Sequence, residues 1–138
     1  RASSAIVGFT QSGDIFTRKI PVLSVDANNP GASAVSRTLG VPIGLTGLFA
    51  RLHTHLLNNG TAGSFAAMIS SLDGDDIAPV VGARGQLQVA TGTTFGTAWL
   101  EVQVDTSAQV RTRLSGSDAN QYLRITVEGW RDTRGRFL

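Results

Sequence analysis

Cysteine is absent from this sequence of 138 residues, and lysine occurs once, at Lys19. Without cysteine the chain has neither disulfides nor thiolate metal sites. No apolar run approaches the roughly 18 residues that a transmembrane helix needs. The chain begins at Arg1 rather than Met, as expected either of a processed start or of part of a longer chain. Because cysteine is absent, a disulfide scaffold and a zinc–thiolate module are excluded.

Charge is also scarce. Charged residues make up 16% of the chain and the formal net charge is +2, whereas glycine occurs 16 times. An average domain carries about 25% charged residues. A net charge this small does not indicate a nucleic-acid partner. Low charge combined with abundant Gly, Ser and Thr favours an all-β domain with short strands, or a subunit that covers much of its surface in an assembly. The length predicts one domain over residues 1–138.

The C-terminal third alternates between apolar and polar residues with a period of two. The runs 98–105, 109–114 and 122–130 each place one apolar face opposite one polar face, as half-buried strands do. In the last run the predicted outward residues are Tyr122, Arg124, Thr126, Glu128 and Trp130. Turn-like residues separate the three runs, so we predict an antiparallel meander.

The rest of the chain continues the strand pattern less clearly. Residues 1–16 indicate a first edge strand or an arm that pairs with a neighbouring subunit. The run 15–25 contains Pro21, which favours an edge or a bend. Residues 36–45 and 86–91 alternate like strands, and the Gly/Thr-rich stretch 92–97 indicates a connector.

Two runs, 46–57 and 62–72, fit either a helix or a strand. The Asn59-Gly60 pair between them is a strong hairpin signal and favours two strands. The chain then has about eight strands, with turns every 8–15 residues. We therefore predict an all-β, single-domain antiparallel β-sandwich of jelly-roll type.

The sequence offers little for catalysis or metal binding. It has no Gly-x-Ser-x-Gly elbow and no cysteine nucleophile. His53 and His55 share a strand face, but a metal site needs a third ligand that the spacing does not supply. The acidic stretch 73–76 is too short for a calcium loop and indicates a solvated turn. We predict a protein that is not an enzyme and has no cofactor or metal.

Eleven of the twelve cationic residues are Arg, and six of these lie in the last 28 residues. Arg favours fixed bidentate pairing, so these side chains are expected to pair with carboxylates across strands or to contact other subunits. The predicted architectural residues are Arg111, Arg113, Arg124, Trp130, Arg131, Asp132, Arg134 and Arg136. We further predict that Asp132 pairs with Arg113 or with a neighbouring Arg, that this fixes a turn at Gly135, and that Trp130 is buried.

The run 99–113, followed by 122–136 ending in GWRDTRGR, resembles the C-terminal end of small virion structural proteins of tailed bacteriophages. In that family a D-x-x-G-Q-I-R-x-R strand pair precedes a closing G-W-x-D-x-R-G-R. The stretch 37–44 (RTLGVPIG) is also similar, and Ala108 stands where the family pattern has Gly.

The resemblance implies a structural, non-enzymatic role in a phage virion. The chain would be a capsid decoration (cement) subunit or a tail or fibre component, located on the particle surface or tail and made in the bacterial cytoplasm. It would form homo-oligomers, trimers or larger, and bind other virion proteins, with neither membrane nor nucleic acid as a partner. The alternative from the residues is a carbohydrate-binding β-sandwich for receptor recognition, in which exposed aromatics such as Trp99 and Tyr122 stack against a sugar.

Overall fold

A computed structural model describes residues 8–134 and shows nine β-strands in this part of the chain. The strands are β1 (Phe9–Ser12), β2 (Ile15–Asn28), β3 (Val35–Thr38), β4 (Leu48–Asn59), β5 (Phe65–Ser70), β6 (Leu87–Val89), β7 (Thr93–Gln103), β8 (Gln109–Leu114) and β9 (Gln121–Asp132).

The strands form two antiparallel sheets that pack face to face. The five-stranded sheet has the order β1-β2-β9-β4-β7, and the four-stranded sheet has the order β3-β8-β5-β6. With β1 set aside, eight strands divide equally between the two sheets, and nearly every connection crosses from one sheet to the other. This is the jelly-roll arrangement. The prediction of an all-β antiparallel sandwich is confirmed, with nine strands instead of about eight.

The core lies between the sheets because alternate residues of each strand point inward. Along β4 the burial alternates without a break from Leu48 to Asn58. The fully buried side chains include Leu52, Leu56, Ile69, Leu87, Val110, Leu114, Leu123, Ile125 and Val127. Each such side chain stabilises the fold by about 1.5–3 kcal/mol relative to exposure. The runs 46–57 and 62–72 are thus strands, as the Asn-Gly turn indicated.

The predicted C-terminal meander is wrong. In the five-stranded sheet β4 separates β7 from β9, and β8 belongs to the other sheet. The Asn59-Gly60 turn likewise leads from β4 to β5 across the sandwich rather than closing a hairpin. Alternation determines which face of a strand is buried, but it does not determine which strand lies beside it.

Several predicted boundaries also shift. Pro21 lies inside β2, the second strand of its sheet, where the pairing with β9 is interrupted between Thr17 and Val22. The missing N–H of proline is tolerated at such an irregularity. The strand predicted at 36–45 covers only Val35–Thr38, and the predicted connector 92–97 is mostly part of β7. The edge strand β1 pairs with β2 of the same chain; residues 1–7 of the predicted arm lie outside the described residues.

A β-bulge interrupts β9 at Glu128. Leu52 of β4 pairs with Val127, but the preceding residue, Arg51, pairs with Gly129, so Glu128 is an extra residue. The bulge reverses the alternation beyond it, as bulges do. Trp130 therefore points inward, and its predicted place on the outward face is wrong.

Gly129 permits this bulge because β2 comes very close to it. A Cβ atom built on Gly129 would lie 2.0 Å from the Phe16 carbonyl oxygen, a separation that real Cβ atoms do not adopt. The substitution Gly129→Ala is therefore expected to lower the free energy of unfolding by about 1–3 kcal/mol or more.

Urea unfolding followed by circular dichroism measures this loss. The control is Gly74→Ala, because an added Cβ there has its nearest neighbour at 3.8 Å. We expect that control to change stability by less than about 0.5 kcal/mol. Equal stability of the two variants would contradict the close approach of β2 and β9.

Candidate functional site

The end of β9 packs into the sandwich through Trp130. Its side chain is 8% exposed. Its ring stacks on Phe16 at 5.5 Å with an interplanar angle of 8°, and Phe9 lies 5.8 Å away. Arg18 covers the ring at 5.5 Å and donates a hydrogen bond to the carbonyl of Gly40. Burial lowers the pKa of Arg18. The predicted burial of Trp130 is confirmed.

Asp132 pairs with Arg134 just beyond this ring. Arg134 Nη2 lies 2.6 Å from Asp132 Oδ2, and Arg134 Nε lies 2.9 Å from Oδ1. The backbone N–H of Arg134 also donates to Oδ1, at 3.1 Å. The side-chain hydrogen bond from Arg134 lowers the pKa of Asp132. The predicted Asp132 pairing is confirmed, while Gly135 and Arg136 lie outside the described residues.

Two of the remaining Arg residues bind the loop after β5. Arg111 donates to the carbonyl of Gly74 at 2.9 Å. Arg113 forms an ion pair with Asp76 at 2.9 Å and donates to the carbonyl of Ala32 at 3.2 Å. These contacts hold the loop that contains residues 73–76 against β8.

The other two Arg residues pair on the outward face of the five-stranded sheet. Arg124 binds Asp26 at 3.0 Å. Arg131 binds Glu101 and covers the ring of Phe49 at 4.4 Å. Exposed pairs of this kind contribute less than about 1 kcal/mol each. Sequence analysis missed Asp26 and Asp76 as partners because both lie far from the C-terminal strands in the chain.

Substitution of each tryptophan tests whether Trp130 is buried and Trp99 is exposed. The variant Trp130→Ala is expected to lose about 3–5 kcal/mol of unfolding free energy, because it leaves a cavity beside Phe16. The variant Trp99→Ala removes a ring that is 69% exposed and is expected to lose less than about 1 kcal/mol. Urea titration of both variants measures the difference, and similar losses would contradict the assigned burial.

The outward face of β4 and β7 carries two stacked pairs of rings. His53 stacks on Trp99 at 4.6 Å and 25°, and His55 stacks on Phe95 at 5.5 Å and 17°. Phe95 and Trp99 are each 69% exposed. Across residues 8–134 no group of three or more His, Cys, Asp or Glu side chains could hold a metal ion. Each of the two histidines thus contacts an exposed aromatic ring on the neighbouring strand.

The predicted aromatic pair is split between two rows of this face. Trp99 lies opposite His53, which lies opposite Thr126. Tyr122 lies instead in the row of Leu57 and Phe95, near the other end of β4. Tyr122 and Trp99 therefore do not form one continuous platform.

The surroundings of His55 disfavour its protonated form. Burial, followed by the charges of Arg124 and His53, lowers its pKa from the ordinary value of 6.5. As the pH falls below 6.5, the unfolded chain takes up this proton before the folded chain does. The stability present above that pH is therefore lost progressively as the pH falls through the lowered pKa.

We expect His55→Gln to flatten the pH dependence of stability just below pH 6.5, because it removes the titrating group. His53→Gln is the matched control, since it removes only the smallest of the three causes and leaves the burial of His55 and the charge of Arg124 in place. Thermal unfolding between pH 5 and pH 8 measures both. An unchanged slope in His55→Gln would contradict the assignment.

A shallow depression adjoins the Trp99 ring on the same face. Its volume is about 430 Å³. Its lining residues are Thr17, Arg51, Leu52, Trp99, Leu100, Glu101 and Glu128. Three of these side chains are charged and one is an exposed indole, so the depression combines an apolar wall with hydrogen-bonding groups.

The β7 strand forms one edge of the five-stranded sheet. It is 11 residues long, and in the part of the chain from 8 to 134 its ladder partner is β4 alone. β6 meets it from the inner side at Gly96, where an added Cβ would lie 2.7 Å from the Gln88 carbonyl. The strand has no register shift against β4 and contains no lysine, arginine or proline.

No family model matches the chain, and no curated protein is significantly similar to it. Within residues 8–134, no helix has the length and apolar character required to cross a membrane.

Proposed function

We propose that this chain is a structural subunit of a tailed-phage virion, either a capsid decoration subunit or a tail or fibre component. It acts by self-assembly and by binding other virion proteins. The observation that carries the proposal is the open edge formed by β7, on which Phe95 and Trp99 are exposed.

A long, flat edge strand is a template for pairing with another chain. Soluble proteins protect such edges with Lys or Pro residues, bulges or short strands. β7 has none of these devices over its 11 residues. Its one charged residue, Glu101, is bound by Arg131 and therefore does not repel a second chain strongly. An edge of this kind is suited to be covered in an assembly.

The architecture and the C-terminal motif support the same function. Jelly rolls are one of the folds from which viral particles are built. The residues that resemble the phage proteins close the sandwich, since Trp130 is buried in it and Asp132 holds Arg134. A subunit with few charges and uncovered apolar residues gains burial from its neighbours.

Light scattering after size-exclusion chromatography tests self-assembly. The unmodified protein is expected to form trimers or larger species. Thr97→Lys places a charge in the middle of the exposed β7 edge and is expected to shift the protein toward smaller species. Thr126→Lys adds the same charge to the same sheet face on β9, away from the edge, and should leave assembly unchanged.

Two outcomes would contradict the proposal. The first is a monomer at all concentrations that also fails to bind phage particles. The second is an equal loss of assembly in the Thr97 and Thr126 variants, because the edge would then have no special role.

A further inference from the structure

The depression beside Trp99 lies next to the bulge in β9. Gly129 lies between Thr17 of β2 and Arg51 of β4, and Glu101 of β7 follows in the same row. The backbone of β2 approaches Gly129 closely, and the two flanking residues Thr17 and Arg51 both line the depression. The extra residue Glu128 lines it as well. Bulges are over-represented beside binding and active sites, where they re-aim a side chain.

Trp99 forms a wall of the depression and is held in place before any ligand binds. The ring is 69% exposed, yet its stacking on His53 at 4.6 Å restricts its movement. An exposed indole that is already ordered loses little conformational freedom when a second flat surface packs on it. The apolar face of a sugar ring is such a surface, and its C–H groups meet the negative face of the indole.

The charged groups of the depression leave one acceptor unused. Arg51 lies 4.0 Å from Glu101, and Arg131 also binds Glu101. Glu128 is half-buried, and within residues 8–134 it has no ion-pair or hydrogen-bond partner. A carboxylate in this state is an acceptor for hydroxyl groups, and hydrogen bonds to a charged acceptor are the stronger kind.

We propose that this depression is a binding site for a neutral saccharide. A pyranose ring stacks on Trp99, its hydroxyl groups donate to the carboxylate of Glu128, and Arg51 donates to a sugar oxygen. An acidic sugar is disfavoured because the carboxylate of Glu128, which no Arg pairs within residues 8–134, would face a second negative charge.

Saccharide binding is compatible with assembly through β7 and does not depend on it. Edge-to-edge pairing extends a sheet in its own plane, so the outward face stays open. Assembly uses the edge of the sheet, and saccharide binding uses its outward face. Phe95 and Trp99 lie four residues apart on β7 with equal exposure, but only Trp99 lines the depression.

Quenching of tryptophan fluorescence by iodide measures whether a bound sugar covers Trp99. The ring of Trp130 is buried and that of Trp99 is exposed, so iodide reports on Trp99. The probes are the methyl glycosides of glucose, galactose, mannose and N-acetylglucosamine, with sialyllactose as the acidic comparison. At least one neutral glycoside is expected to protect Trp99 with a dissociation constant in the millimolar range.

Ligand-observed NMR with the best glycoside then compares variants. Trp99→Ala is expected to abolish binding, and Glu128→Gln is expected to weaken it about tenfold because it removes the charged acceptor. Phe95→Ala is the matched control and should bind as the unmodified protein does. Circular dichroism establishes that each variant is folded.

Three results would overturn the proposal. In the first, no neutral glycoside protects Trp99 at about 10 mM. In the second, sialyllactose binds as tightly as the neutral sugars, which excludes the assigned charge preference. In the third, Phe95→Ala loses glycoside binding to the same extent as Trp99→Ala, which contradicts binding in the depression because Phe95 does not line it.

Discussion

The extra residue in β9 at Glu128 is the constraint on which much of this structure depends. β9 lies between β2 and β4, so a change in its alternation affects both neighbours. Without the bulge Trp130 would face outward and Arg131 inward. With it, Trp130 packs beside Phe16, and Arg131 reaches Glu101 on the outward face. One backbone irregularity therefore provides an aromatic cluster inside the sandwich and the charged border of a depression outside it.

The five-stranded sheet carries two kinds of surface. The depression around Trp99 contains charged and hydrogen-bonding groups, as expected of a site for a small polar ligand. The β7 edge offers backbone groups and apolar side chains, as expected of a contact between chains. A small β-sandwich can carry both because the first lies on the face of the sheet and the second lies in its plane.

The sequence predicts much of the local structure because burial follows a period of two. It identifies the strand character of 46–57 and 62–72, the burial of Trp130 and the pairing of Asp132. It does not predict which strands are neighbours, since β7, β8 and β9 each take partners that are distant in the chain. It also misses the depression, because the Glu128 bulge depends on the close approach of Phe16 to Gly129, which no local pattern shows.

Hydrogen exchange of the backbone amides of β7, recorded at high and low protein concentration, tests the central claim that this edge is covered in an assembly. At high concentration the amides of Thr93–Gln103 should exchange more slowly, while those of β1 at the opposite edge should exchange at an unchanged rate. Exchange in β7 that does not depend on concentration would contradict the claim, as would equal slowing at both edges of the sheet.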